Sequence, residues 1–235
     1  MKKSIKWYQV TRAILPIVYT ALLITGLLWK SPLMVIILLG IAFLSGAFYC
    51  GWLCPFGFTQ EWLGNLGRVL NLPYLRVPTK VERWLRFSRY ILFGLSMTGL
   101  AFVYFLSDPY NNFMGLIVGN TGYVTIGGWI LLGGFILSSM LIDRPFCRYF
   151  CTEGARYGGL SMARIFSIRR DKDKCVSCGA CDRKCPSQIK VSVKGHVRNG
   201  QCINCFKCID ACPVEGTLSY GWVFRKQGDK DEQSI

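Results

Sequence analysis

The sequence predicts a membrane all-α four-helix bundle joined to a small C-terminal α+β domain. Three observations carry that expectation. Of the 235 residues, 51% are hydrophobic and only 17% are charged, against about 25% charged in an ordinary soluble domain. The apolar residues gather into four runs. Eight of the twelve cysteines fall into two copies of one spacing near the C-terminus. The expected divisions are a membrane domain over 1–165, a cysteine-rich domain over 166–222 and a polar tail over 223–235. The single histidine, His196, excludes a bis-histidine haem bundle, which needs paired ligands. The apolar content excludes disorder.

The four runs cover 13–29, 33–48, 90–106 and 126–142. Each is near the short end of the roughly 17–25 residues that cross a bilayer. Pro16 lies inside the first, which a membrane helix tolerates. Buried helices of a large soluble core would read alike, but a chain this short cannot cover four of them on all sides. Basic residues set the orientation. Lys2, Lys3, Lys6 and Arg12 precede or open the first run, and Lys30 stands alone in the first loop. Arg68, Arg76, Lys80, Arg83, Arg86 and Arg89 occupy the second connection; 107–125 has none, and all the others follow Ile142. Both termini and the cysteine-rich domain are therefore expected in the cytoplasm, on the inner membrane of a bacterium or archaeon. The net charge of +15 reads as this topology signal, with anionic lipid contact added, rather than as nucleic-acid binding. No cleavable signal peptide is expected. Phe58, Trp62, Leu66 and Val69 recur at helical spacing within 57–70, which reads as an interfacial helix on the cytoplasmic face.

The strongest chemistry is the duplicated run. Cys175-x2-Cys178-x2-Cys181-x3-Cys185-Pro186 is followed by Cys202-x2-Cys205-x2-Cys208-x3-Cys212-Pro213. Three thiolates two residues apart wrap one face of a cubane, and the fourth cysteine of each run ligates the other cluster. One 4Fe–4S cluster is thus assigned to Cys175, Cys178, Cys181 and Cys212, the other to Cys202, Cys205, Cys208 and Cys185. Zinc sites use separated ligand pairs instead, and disulfides do not suit a cytoplasmic segment. His196, between the runs, is surplus to the ligand count.

Cys50-x3-Cys54-Pro55 closes the second run and Cys147-x3-Cys151-Thr152 closes the fourth, at matching positions of an internal repeat. Three readings of these four residues stay open. They are inert packing thiols, a dithiol relay or copper site, or ligands of a third iron–sulfur centre, two-iron or four-iron. Duplication at one depth favours the third.

Residues 171–220, ending CPVEGTLSY, resemble the two-cluster ferredoxins of bacteria. With the apolar runs and the cysteine pairs, nearly the whole chain from Val10 to Tyr220 resembles the NapH- and MauN-like family of membrane ferredoxins. The stretch YCGWLCPFGFTQEWLG is the most specific part of that likeness. The departure is Thr152, where many relatives have proline. The resemblance implies an electron-transfer subunit between the quinone pool and a partner oxidoreductase, often with a partner ferredoxin. A membrane reductase of copper or of a maturation factor, and a redox-sensing regulator, are the alternatives. For a quinol donor, Glu61, Asp143 and Glu153 are the acids nearest the cysteine pairs. Arg144, Arg148 and Arg156 beside them favour salt bridges over proton acceptance. Tyr49, Trp52, Phe56 and Tyr149 are expected in packing or interfacial anchoring rather than around a quinone head.

Overall fold

The computed structural model describes residues 7–25, 32–98, 108–122 and 125–223. In chain order these form α1 (Trp7–Ile24), α2 (Pro32–Ser45), a π-helical turn (Tyr49–Leu53), α3 (Pro55–Val69) and α4 (Thr79–Met97). Then come α5 (Pro109–Val118), α6 (Ile126–Ser138), α7 (Pro145–Tyr149), α8 (Thr152–Leu160) and a 3₁₀ turn (Ser161–Ala163). The last elements are β1 (Phe166–Arg170), α9 (Ala180–Lys184), α10 (Lys207–Ala211) and β2 (Leu218–Trp222). Most of the described chain is helical.

Starts are written into the sequence. Proline opens α3, α5 and α7, where its missing N–H costs nothing. The Thr125 hydroxyl caps α6 by accepting from Gly128 N at 3.1 Å. The two copies of the repeat interlock: α2 packs on α8 and the 3₁₀ turn, while α1 packs on the π-turn, α3 and α5. Phe56 and Phe146, one from each copy, are fully buried side by side with Ala42 and Leu132.

Helix α3 turns inward a face of Gly57, Gln60, Glu61, Gly64 and Gly67. A Cβ at Gly67 would stand 2.2 Å from Met140 O, so only glycine lets this helix lie on the backbone that follows α6. Trp62 and Val69, from the expected apolar face, are exposed. Ile17, Ile36, Ile91 and Ile130 likewise point outward from α1, α2, α4 and α6. Among the described residues, α1 is the helix long and apolar enough to cross a membrane. Helices α2 and α6 have 14 and 13 residues.

Of the third expected span, 90–98 is described, in and just after α4. Tyr110, from the outer loop expected over 107–125, lines one cavity together with Cys50 and Arg89. That region contains α5, packed against α1, α3 and α6, and α5 is the repeat counterpart of α1. Residues 99–107 lie outside the described residues.

Strands β1 and β2 pair antiparallel, Phe166 with Trp222 through Arg170 with Leu218. They cover a core of Ile168, Ile189, Val191, Val197 and Leu218. Phe206 anchors this unit to the helices: its ring meets Tyr8, Trp52, Phe48 and Tyr220 at 5.9, 5.9, 6.0 and 5.3 Å. Buried Asn204 ties the same junction, donating through Nδ2 to Ser45 O and accepting from Arg164 at 3.2 Å.

Candidate metal centres

Three cavities are each lined by four cysteines. The first holds Cys175, Cys178, Cys181 and Cys212. The second holds Cys50, Cys54, Cys147 and Cys151. The third holds Cys185, Cys202, Cys205 and Cys208. All twelve thiols are free. Among the described residues no three Cys, His, Asp or Glu side chains converge as they would on a single ion. The thiols surround space instead, as a multinuclear core requires.

In the cysteine-rich unit the short helices do the sorting. Helix α9 carries Cys181 to the first cavity and ends on Cys185 in the third; α10 carries Cys208 to the third and ends on Cys212 in the first. Each preceding loop has two left-handed residues at equivalent positions, Ser177 and Gly179 in one run, Asn204 and Phe206 in the other. Alternation of that kind turns successive backbone N–H groups to one side, a concavity suited to anions and to iron–sulfur cores. His196 lines none of the three cavities; it bridges to Arg169 beside β1.

The second cavity lies where the two repeats meet. Cys54 and Cys151 occupy the cap positions of α3 and α8 with nearly the same backbone, φ −66° and ψ 112° against φ −70° and ψ 115°. Their sulfurs accept from Gly57 N at 3.4 Å and Gly154 N at 3.2 Å. Thr152 in place of proline thus leaves the cap geometry unchanged. The difference falls earlier, where the first pair spans a π-turn and Cys147 sits in the regular helix α7. Fully buried Gln60 donates to Cys147 Sγ at 3.3 Å.

Guanidiniums surround this cavity. Arg144 donates to Cys50 O at 2.8 Å and to Glu61. Arg148 pairs with Glu82 yet leaves Nε and Nη1 unbonded. Arg89 meets Gln201 and Gly200 O, and among the described residues no carboxylate pairs with it. Buried cations without counter-charge are costly, so the cavity fits an anionic occupant. Burial, then the neighbouring Cys54, pushes the Cys147 thiol up to about 12; burial likewise raises Cys54 and Cys151. Free thiols here would be neutral, and metal ligation must displace their protons.

Second and third cavities share Ser187 and Ile203 as a wall. Gly51 and Ile203 approach so closely that a Cβ on Gly51 would lie 2.0 Å from Ile203 O. Gly51→Ala is therefore expected to force the two units apart and to cost about 3 kcal/mol of stability in denaturant titration. An unchanged midpoint would refute the tight contact.

Of the acids expected near the pairs, Glu61 is bound by Arg12, Arg144 and Lys207, Asp143 by Arg68 and Tyr74, and Glu153 by Arg156. Trp52 donates to Asn204 O at 3.0 Å, Phe56 packs on Phe113 and Phe146, and Tyr149 lies under Arg148. Tyr49 alone of those four aromatics lines the thiol cavity, its hydroxyl 2.8 Å from that of Tyr110. Sequence reasoning missed Arg12, Gln60 and Arg89. Gln60 stood inside the quoted signature, but the other two carry no local signal.

Comparison with known proteins places these features in an iron–sulfur class. A 4Fe–4S binding domain family matches twice, over residues 27–73 and 124–170, and a 4Fe–4S dicluster family matches 167–213. An uncharacterised protein of Methanocaldococcus jannaschii is 32% identical over 84% of this chain and 80% of its own length. YccM of Escherichia coli K12, named for electron transport, is 32% identical over 81% of this chain, which spans 55% of that relative's length. The ferredoxin-type protein NapH of Haemophilus influenzae is 29% identical over 83% of this chain and 69% of its own. No solved structure matches. The chain belongs to the family of ferredoxin-type 4Fe–4S electron-transport proteins that includes NapH and MauN.

Proposed function

We propose that this protein is a membrane-bound electron-transfer subunit that links the quinone pool to a partner oxidoreductase or ferredoxin. The observation that carries the reading is the shared wall between the second and third cavities, with the first reached through α9 and α10. Cys175, Cys178, Cys181 and Cys212 would hold one 4Fe–4S cluster, and Cys185, Cys202, Cys205 and Cys208 the second. Cys50, Cys54, Cys147 and Cys151 would hold a third iron–sulfur centre. Such clusters, when bound, supply one-electron redox chemistry.

The chain's own part is spacing, insulation and charge. Gly51 and Ile203 bring neighbouring sites together, Phe206 and its ring neighbours exclude water from the junction, and Arg89, Arg144 and Arg148 favour an anionic centre. The outward aliphatic side chains of α1, α2 and α6 would face hydrocarbon, with the cysteines at the cytoplasmic surface as the basic residues direct. Cys178 is exposed whereas the other two quartets are buried or half-buried, which makes the first cavity the exchange face for a partner.

Anoxic addition of duroquinol to the purified protein should bleach its iron–sulfur absorbance within seconds to minutes. An absorbance that dithionite bleaches and duroquinol leaves untouched would reject the quinone link.

A further inference from the structure

Four carboxylates are buried in the helical part, and three of them are ion-paired. Glu61 and Asp143 have the partners given above, and Glu82 is held by Arg86 and Arg148. The fourth is Asp108, the cap of α5 and 4% exposed. It accepts from Tyr110 N at 3.3 Å and from Asn111 Nδ2 at 3.2 Å, and among the described residues no basic side chain pairs with it. One turn on, Asn112 is fully buried, and among the described residues neither of its amide atoms has a hydrogen-bond partner. Tyr110 itself lines the Cys50–Cys54–Cys147–Cys151 cavity and joins its hydroxyl to that of Tyr49. A lone buried carboxyl is thus placed beside a site surrounded by fixed cations.

We propose that Asp108 is a proton-accepting residue for hydroquinone oxidation beside this cavity. The inference rests on the quinone-linked reading above. Oxidation of one hydroquinone to quinone breaks two O–H bonds and releases two electrons and two protons. An iron–sulfur centre held by the four thiols would take these electrons singly, the first passing on toward the other clusters before the second arrives. Each proton goes to the Asp108 carboxylate, which becomes the neutral acid and discharges to water before the next arrives.

The electrostatics suit that role. Burial pushes the Asp108 carboxyl up to about 7, with Tyr110 N–H opposing and Glu153 adding to the rise. Facing this corner are Glu153, Arg156 and Tyr157 of α8, Tyr19 of α1, Tyr49 of the π-turn, and the thiols Cys54 and Cys151. Glu153, which lines the cavity, is likewise raised by burial but is paired with Arg156, whereas no basic side chain among the described residues pairs with Asp108.

The test compares the full chain with Asp108→Asn under anoxic conditions. Infrared spectra of the wild type should show a neutral carboxyl band that fades as pH rises through about 7 and is missing in Asp108→Asn. Duroquinol-driven reduction should slow at least tenfold in Asp108→Asn and lose its rise between about pH 6 and 8, with iron content and dithionite reduction unchanged. If the variant loses iron, Asp108→Glu decides, and retained pH dependence supports the proposal. Absence of the titrating band, or wild-type rate and pH profile in Asp108→Asn, overturns it. A wild type that duroquinol cannot reduce fails earlier, at the quinone reading, while the infrared titration still reports on Asp108 by itself.

Discussion

Replacing Cys50 and Cys147 together by alanine will lower iron from about ten to twelve atoms per chain to about eight. The reasoning starts from the cavity rather than from the motif. Each repeat gives it one thiol held at a helix cap, Cys54 or Cys151, and one from the preceding turn, Cys50 or Cys147. The double variant removes the preceding-turn thiol from both repeats, and two ligands do not retain a cluster that needs four. The other eight cysteines lie in separate cavities within the unit closed by β1 and β2, so their iron and sulfide should persist. Spectra should keep the ferredoxin-type signal and lose one component. Iron near eight in the wild type would remove the third centre altogether. Loss of all iron in the variant would make the second cavity a folding determinant of the whole chain.

How the thiols come together was legible in spacing, because within each run the ligand geometry is local. Two residues between successive cysteines and three before the fourth fix one turn and one short helix, whatever the remainder of the chain does. The convergence of Cys50 and Cys54 with Cys147 and Cys151 was legible as a repeat, since two equal copies of a helix exit bury the same face. The place of Tyr110 beside Tyr49 was not legible, because hydropathy measures the length of an apolar segment and is blind to where its ends must return. The inward face of α3 was not legible, because glycine and paired charge, not apolar side chains, form its contact. Asp108 gave no signal at all. An Asp-Pro pair after an apolar run reads as a helix start, and the lack of a basic partner for Asp108 among the described residues is visible only in three dimensions.

Glu61→Gln is expected to be the most damaging single substitution outside the cysteines. One carboxylate joins three parts of the chain here. Arg12 from α1 binds both oxygens at 3.0 and 2.5 Å, Arg144 from the turn before α7 binds Oε2 at 2.5 Å, and Lys207 from α10 reaches Oε1 at 2.8 Å. Arg12 also donates to Gly51 O at 2.7 Å and Arg144 to Cys50 O, so the carboxylate indirectly fixes the first cysteine loop. Burial pushes the Glu61 carboxyl up, but Arg144, Arg12 and Lys207 together hold it well below the usual carboxylate range. Breaking a buried pair by removing one charge costs about 3–5 kcal/mol, because the guanidiniums remain buried without an anion. Denaturant titration at pH 7 should show a loss of that size, accompanied by less iron in the second cavity than in the other two. The pH dependence has a definite sign. With the folded value depressed, the contribution is complete above about pH 4.3, the carboxyl's unfolded value, and disappears as pH falls toward the folded one. The gap between wild type and Glu61→Gln should therefore stay constant through neutral pH and close only in acid. A gap that closes on raising the pH instead would mean that Glu61 is not the charged hub of this junction.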